Sequence, residues 1–146
     1  MSDERVVLVT GAASGIGAAV CRRIAGPGTR LVITAKSNRD GLEAIAATAR
    51  DAGSDVAIEL GDLLDATTPQ RLVEAALDSF GALDQIVANA GFAQRGGLPE
   101  VSLEDLARAE RGMPDAFFSL AGAAMPHLIQ SGWGRIVATS SFVAHV

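Results

Sequence analysis

The segment LVTGAASGIG, at residues 8–17, is the feature that most constrains how this chain folds. It opens at the end of a short apolar run, which is typical of a strand buried on both faces of a parallel sheet. Glycines follow at positions 11, 15 and 17. Glycine allows a tight turn, and its missing Cβ lets a phosphate approach the backbone. A helix pattern begins directly afterwards, and helix N-termini bind anions. The segment predicts a strand–loop–helix unit that holds an anionic ligand, or else a tight connection without one.

Strand patterns and helix patterns alternate along the rest of the chain. Strands are predicted at residues 6–9, 31–34, 56–60, 83–88 and 135–139. Helices are predicted at residues 18–25, 40–52, 69–80, 102–111 and 115–130. The last two helices are expected to be separated by a break at 112–114, because Pro114 lacks a backbone N–H. This alternation predicts an α/β fold, a doubly wound parallel sheet with right-handed crossovers, in a single domain over residues 1–146.

Composition excludes several classes of protein. The formal net charge is −5, which argues against a nucleic-acid-binding protein, because phosphate contacts need clustered Lys and Arg. No apolar stretch reaches the roughly 18–20 residues of a membrane span, so no membrane association is expected. The charged N-terminus does not resemble a signal peptide. The single cysteine, Cys21, cannot form an internal disulfide, which favours a reducing, cytoplasmic location.

Four motifs, in order, resemble the short-chain dehydrogenase/reductase family. The first is T-G-x-x-x-G-I-G at residues 10–17, and the second is Asp62 after the third predicted strand. The third is N-A-G at residues 89–91, and the fourth is the pair Ser140 and Ser141 that ends the fifth strand. The resemblance spans the whole chain and looks closest to 3-oxoacyl-ACP-reductase-like members. Because the family normally continues beyond the equivalent of Val146, we expect a dinucleotide-binding domain that is incomplete at its C-terminus and lacks the last strands and helices.

The resemblance implies a Rossmann-like fold that binds NADP or NAD. The cofactor-binding residues that it implies are Gly11, Ser14, Gly15, Ile16, Gly17, Asp62, Leu63, Asn89, Ala90 and Gly91.

The end of the second strand is where the choice between NADP and NAD is made. An acidic side chain at this place bonds the ribose hydroxyls of NAD and repels a 2′-phosphate. This chain has Ala35 there, followed by Lys36 and Ser37, with Arg39 nearby. Lys36 or Arg39 can pair with a 2′-phosphate and Ser37 can donate to it, although both cations also fit solvated loop positions. The sequence favours NADP, with NAD as the alternative; Ser14 counts against NADP, because many NADP-using relatives carry a basic residue there.

The family's catalytic residues are only partly present. The resemblance assigns Ser141 as the serine that polarises a carbonyl, with Ser140 the weaker candidate. The family's Tyr, which donates the proton, and its Lys, four residues later, would lie beyond Val146. The chain contains no tyrosine. His145 has a suitable pKa for an acid but nothing in the sequence to orient it.

The asparagine that anchors a relay water in the family corresponds to Met113, which cannot bond that water. Two functions therefore remain open. One is an NADP-preferring oxidoreductase that interconverts a small-molecule carbonyl and an alcohol. The other is a nucleotide-binding or interaction protein without catalysis. Without further strands, Ile136 and Val137 would lie on an unprotected sheet edge, which invites association. The expected assembly is a homo-oligomer, a dimer or tetramer.

Overall fold

The computed structural model describes residues 4–93, 95–97, 99–132 and 134–141. The elements, in chain order, are β1 (Arg5–Thr10), α1 (Gly15–Ile24), β2 (Thr29–Ala35), α2 (Arg39–Asp51), β3 (Asp55–Leu60), α3 (Thr68–Phe80), β4 (Gln85–Ala88), α4 (Leu103–Glu110), a π-helical turn (Arg111–Asp115), α5 (Ala116–Ser131) and β5 (Arg135–Ala138). The predicted alternation of strands and helices is confirmed.

The five strands form one sheet in the order β3-β2-β1-β4-β5, and every pairing is parallel. The chain runs outward from β1 to β3 and then crosses back to β4 on the other side of β1. Ligands of open parallel sheets bind beyond the carboxyl ends of the strands, where the strand order reverses. The loops that follow β1 and β4 meet at this point, so it is where a site is expected.

Side chains of β1 alternate between two separate cores, as the two-residue period of a strand requires. Val7 and Val9 pack with α1 and α2 on one face of the sheet. Val6 and Leu8 pack with α3 and α5 on the other face. All four side chains are buried, so β1 has no solvent-facing side over this stretch. This explains the continuous apolar run in the sequence, and the fold is the doubly wound parallel sheet that was predicted.

Two predicted boundaries were wrong in ways that affect the site. Helix α1 begins at Gly15 rather than at residue 18, so the second half of the glycine segment forms its first turn. The expected break at 112–114 is not a break, because the π-helical turn Arg111–Asp115 carries the helical backbone from α4 into α5. Pro114 lies inside that turn and cannot donate the hydrogen bond of an α-helix; here a single wider turn accommodates this loss without ending the helix.

Strand β5 is the edge of the sheet over the described residues. All four of its residues are exposed, and Ile136 and Val137 have 37% and 54% of their surface accessible. The exposure that the sequence predicted for these two side chains is confirmed.

Candidate functional site

The glycine loop begins with a conformation that side chains disfavour. Gly11 and Gly15 have φ angles of 66° and 54°, in the left-handed region that suits glycine. At Gly11 a Cβ would also lie 2.9 Å from the Ala90 Cα, because the loops after β1 and β4 touch there. The backbone N–H of Ala12 donates to the carbonyl of Thr34 at 2.9 Å, which ties the loop to the end of β2.

Gly17 makes the loop compact. A Cβ at this position would overlap the Gly11 carbonyl oxygen and lie 2.7 Å from the Asn89 Nδ2 atom. The first turn of α1 can therefore fold back over the loop only because position 17 has no side chain. The spacing of the glycines in the sequence thus follows from two distinct needs, positive φ at positions 11 and 15 and close packing at 17.

The N-terminus of α1 points its free groups into this loop. Ser14 is the N-cap residue, in an extended conformation, and its side chain makes no capping hydrogen bond. The first intrahelical bond of α1 runs from the Ala18 N–H to the Ser14 carbonyl. The N–H groups of the preceding first-turn residues have no helical partner, as at any helix start. Together with the Ser14 hydroxyl, they form a donor set for an anion.

Thr10 and Asn89 join the carboxyl ends of β1 and β4. The Thr10 hydroxyl accepts hydrogen bonds from the backbone nitrogens of Asn89 and Ala90, at 3.0 and 3.1 Å. The Asn89 amide donates to the carbonyls of Thr10 and Gly11, at 3.2 and 3.3 Å. Its Oδ1 atom accepts from the Thr139 hydroxyl at 3.0 Å, after β5. Asn89 therefore shapes the floor of the site, and its amide is fully engaged with protein.

Two cavities lie over these strand ends. The first, which we call the β2-side cavity, has a volume of about 330 Å³. Its lining includes the predicted residues Gly11, Ser14, Lys36, Ser37, Asp62, Leu63, Ala90 and Gly91. It therefore brings together the loops that follow β1, β2, β3 and β4.

An ion pair joins two of the side chains that line the β2-side cavity. The Lys36 Nζ atom lies 2.8 Å from the Asp62 Oδ2 atom, with 62% and 38% of the two side chains exposed. The other carboxylate oxygen of Asp62 accepts the backbone N–H of Leu64 at 3.0 Å. The Lys36 ammonium, and secondarily the Leu64 N–H, lower the pKa of Asp62 below its usual value. Asp62 is thus a carboxylate at neutral pH. It is already paired with Lys36, the residue predicted to bind a 2′-phosphate.

The second cavity, which we call the β5-side cavity, has a volume of about 890 Å³ and continues from the first past Ala90 and Gly91. Ile16, Asn89 and the pair Ser140 and Ser141 line it. Ser141 is exposed, directly after the end of β5. The structure thus places the predicted catalytic hydroxyl in the larger cavity and the predicted phosphate ligands in the smaller one.

The wall of the β5-side cavity that is built by the π-helical turn and α5 is apolar. The side chains that this wall contributes are Met113, Pro114, Ala116, Phe117 and Leu120, together with Gly112. None of these carries an oxygen or nitrogen atom that could hold a water molecule. The Met113 sulfur lies beside Gly91, 3.7 Å from where a Cβ at Gly91 would stand. The polar groups of this cavity are on the sheet side instead.

Some predicted residues lie outside these linings. Gly15 and Gly17 line neither cavity, and act through backbone shape and packing. Arg39 pairs with Glu43 at 3.7 Å and does not line the β2-side cavity. His145 lies outside the described residues.

Arg108 was missed by the sequence analysis. It lines the β2-side cavity from α4 and stacks on Phe92, with its guanidinium carbon 4.9 Å from the ring centroid. Nothing in the sequence separated it from other helix-surface arginines.

Across the residues that the structure describes, no group of three or more His, Cys, Asp or Glu side chains is placed to hold a metal ion. Within the same part of the chain, no helix has the length and hydropathy that a membrane crossing requires.

Comparison with known proteins agrees with this architecture. A 2,5-dichloro-2,5-cyclohexadiene-1,4-diol dehydrogenase of Sphingobium indicum is 34% identical over 139 residues, which are 95% of this chain and 55% of that protein. A short chain dehydrogenase from Burkholderia cenocepacia J2315, solved in complex with NADP, is 31% identical, with a TM-score of 0.89, and covers 99% of this chain and 58% of that one. A reductase described as NADH-dependent, solved with NAD, is 25% identical, with a TM-score of 0.88, and covers 99% and 64% of the two chains.

The chain spans about half the length of the curated relatives that it matches. The family model described as short chain dehydrogenase matches residues 5–146, which is nearly all of the sequence. The match agrees with the glycine loop, the Asn89 network and the hydroxyls after β5, and the chain belongs to the short chain dehydrogenase family.

Proposed function

We propose that this chain binds NADP or NAD and that the complete protein interconverts a small-molecule carbonyl and an alcohol by hydride transfer. The observation that carries the proposal is the continuous cleft at the carboxyl ends of the strands. One part of the cleft has the glycine loop and the Lys36 ammonium, and the other part has the Ser140 and Ser141 hydroxyls beside an apolar wall. A dinucleotide needs both kinds of environment at the two ends of one cleft.

The residues present fit such a cofactor. The first turn of α1 and the Ser14 hydroxyl supply donors for a pyrophosphate, and the missing Cβ atoms of Gly11 and Gly17 leave the backbone accessible. Asp62 and Leu63 lie where the adenosine half would bind, in the β2-side cavity. When bound, the nicotinamide supplies the hydride donor or acceptor that no side chain can provide.

Ser141 is proposed to hydrogen-bond the carbonyl oxygen of the substrate. Its hydroxyl is exposed in the β5-side cavity, and no hydrogen bond to another described residue engages it. A donor aimed at this oxygen stabilises the negative charge that develops there during hydride transfer. The proton that completes the reduction is proposed to come from a tyrosine, with its lysine partner, outside this chain.

NADP is the proposed preference over NAD. The support is the absence of a carboxylate at Ala35, the last residue of β2, and the presence of Lys36 and Ser37 in the cavity beside it. A carboxylate at this place would repel a 2′-phosphate, whereas an ammonium attracts it.

The experiment has a binding arm and a turnover arm. Titration of the complete protein with NADPH and NADH, followed by cofactor fluorescence, should show saturable binding that is tighter for NADPH. Oxidation of NADPH with a panel of ketones should then be abolished by Ser141→Ala and retained by the matched variant Ser140→Ala. If neither cofactor binds, or if Ser141→Ala turns over normally, the proposal is wrong.

A second function, nucleotide binding without catalysis, is favoured by one observation. Met113 and its apolar neighbours provide no relay group on the wall where the family carries an asparagine. Under this alternative, the complete protein binds NADPH with the same dependence on the glycine loop but oxidises it with no ketone.

We also propose that the protein is a cytoplasmic homo-oligomer, a dimer or tetramer, which associates through the exposed side of α5. Phe118, Met125 and Ile129 are 79%, 42% and 71% exposed and repeat at helical spacing along this side. Gly122 lies between them, and nothing lies within 4 Å of its would-be Cβ. Light scattering over a range of concentrations should show an assembly that Phe118→Arg dissociates; a wild-type monomer throughout would contradict this.

A further inference from the structure

Lys36 and Asp62 form an ion pair inside the cleft, and the role assigned to it rests on the proposed binding of NADP or NAD. Lys36 is the cation that the β2-side cavity offers from the end of β2. Its ammonium lies 2.8 Å from the Asp62 carboxylate, which stands at the end of the neighbouring strand. The group expected to bind a 2′-phosphate is therefore already engaged by a negative charge of the protein.

The β2-side cavity has few charged side chains, so the pairing of Lys36 with Asp62 strongly affects its net charge. The charged side chains that line it, among the described residues, are Lys36, Asp62 and Arg108. Their sum is +1, and without Asp62 it would be +2. Arg108 is held over the Phe92 ring, 4.9 Å from its centroid, so Lys36 is the cation with direct contact to the carboxylate. A 2′-phosphate must share Lys36 with Asp62 or displace it.

The pair is exposed enough to exchange partners. The Lys36 side chain is 62% accessible, and exposed pairs of this kind contribute little to stability. A phosphate offers more charge and more acceptor atoms than a carboxylate, so it can capture the ammonium. Asp62 itself stays in place, because its second oxygen accepts the Leu64 N–H.

We propose that Asp62 is a specificity-determining residue that acts through Lys36. It occupies the ammonium when no 2′-phosphate is bound and competes with the phosphate when one arrives. This competition weakens NADP binding selectively and brings the affinity for NADP closer to that for NAD. The protein therefore uses both dinucleotides more evenly than Lys36 alone would dictate.

The test measures dissociation constants for NADPH and NADH with the complete protein, at about 0.15 M salt, where exposed charges more than about 8 Å apart are largely screened from one another. The variants are Asp62→Asn, Lys36→Gln and the double variant. Asparagine keeps an acceptor for the Leu64 N–H but loses the charge. The matched control is Asp65→Asn, which removes the same charge from an exposed Asp that bonds Thr67 and does not line the cavity.

Asp62→Asn should raise the preference for NADPH over NADH about 3- to 10-fold. Asp65→Asn should change it less than about 2-fold. In the Lys36→Gln background, the effect of Asp62→Asn on the preference should fall below about 1.5-fold.

Three results would overturn the inference. Equal weakening of both cofactors by Asp62→Asn would mean that Asp62 serves the adenosine they share. An unchanged preference would show that no competition exists. A full effect in the Lys36→Gln background would mean that Asp62 acts on the phosphate directly. If the wild type binds neither cofactor, the proposed function fails and the role of Asp62 fails with it. The three results above would overturn the role of Asp62 alone and leave the proposed function standing.

Discussion

The Thr10 hydroxyl accepts two backbone hydrogen bonds, from Asn89 at 3.0 Å and from Ala90 at 3.1 Å. One side chain of β1 thus satisfies the donors of the segment that leaves β4. Thr10 is 2% exposed, so water cannot replace it. A single buried hydroxyl therefore holds the two central loops of the cleft in register.

Replacing Thr10 by valine keeps the shape and removes the hydroxyl. Two partly buried N–H groups then lose their acceptor, and we expect the free energy of unfolding to fall by about 1–3 kcal/mol. Urea denaturation monitored by circular dichroism measures the change. Thr10→Ser keeps the acceptor and should lose less than half as much. Equal losses in the two variants would show that the methyl group matters, not the hydrogen bonds.

Asn89→Asp should destabilise the same region for a different reason. The amide donates to the carbonyls of Thr10 and Gly11, and a carboxylate would face those oxygens without a proton to donate. We expect a loss of about 1–3 kcal/mol at neutral pH, together with weaker NADPH binding. The two carbonyl oxygens would raise the pKa of the new carboxyl in the folded state, so the loss should shrink as pH falls towards about 4 and be largely gone below it.

The matched control for Asn89→Asp is Asn38→Asp. Asn38 caps α2 by accepting the Gly41 N–H at an exposed position, a role that a carboxylate also performs at a helix N-terminus. For the control we expect a free energy of unfolding within about 0.5 kcal/mol of the wild-type value, measured by urea denaturation. A similar loss of stability in both variants would show that the hydrogen bonds donated by the Asn89 amide are not the cause.

Gly17→Ala should disrupt the glycine loop. The added methyl would meet the Gly11 carbonyl and the Asn89 amide, both held by the surrounding network. Overpacking against fixed groups costs about 1–3 kcal/mol, and fluorescence titration should show cofactor affinity reduced at least about 10-fold. Gly122→Ala, where a Cβ meets nothing within 4 Å, should leave cofactor affinity unchanged. Wild-type affinity in Gly17→Ala would refute the role of the loop.

Cys21 should behave as an unreactive thiol. It lies on the buried side of α1, and burial raises its pKa to about 11. At pH 8 the native protein should therefore react with a thiol reagent only as fast as it unfolds, whereas the denatured chain reacts at once. A reagent that releases a chromophore for each thiol modified allows the reaction to be followed by absorbance. Because the chain has one cysteine, the absorbance is proportional to the number of chains that have unfolded. Rapid reaction of one thiol per native chain would contradict the packing.

The same raised pKa predicts how stability depends on alkaline pH. The folded state holds the thiol proton more tightly than the unfolded state, so the stabilisation is complete below pH 9.0, the ordinary pKa of the thiol. It should be lost progressively as pH rises from 9 towards 11, where the folded thiol itself ionises. Cys21→Ala should lack this part of the alkaline loss, which denaturation midpoints from pH 8 to pH 11 would reveal.

The order of elements was predictable because buried parallel strands and helices differ in period and length. The apolar residues of β1 and the glycines after it are sufficient to locate the loop. The start of α1 could not be predicted, because Gly15 and Gly17 look like loop residues in the sequence. Only the structure shows Gly17 packed on Gly11 in the first turn of the helix. The turn around Pro114 was misjudged for a similar reason. A proline in a helical pattern indicates a lost hydrogen bond, but the sequence does not say whether the backbone stops or widens.

Within the site, residue types were predictable and pairings were not. Lys36 and Asp62 were each singled out, but they are 26 positions apart, and only the register of β2 and β3 shows that they pair. Arg108 comes from a helix on the far side of the cleft, so its position depends on the path of the whole 91–102 segment. The roles of Ser141 and of the cofactor residues stay predictions that the proposed titrations would test.

The hydrogen-bond ladder of the sheet extends past its strands at the edge that carries the cleft. Ala12 donates to Thr34, Gly61 to Ala35 and Thr139 to Ala88, each from a loop residue to the carboxyl end of the neighbouring strand. These loops have already given up much of their conformational freedom before any ligand arrives. Binding there should consequently proceed with a small entropic penalty, so affinity for a dinucleotide would depend chiefly on contacts rather than on loop ordering.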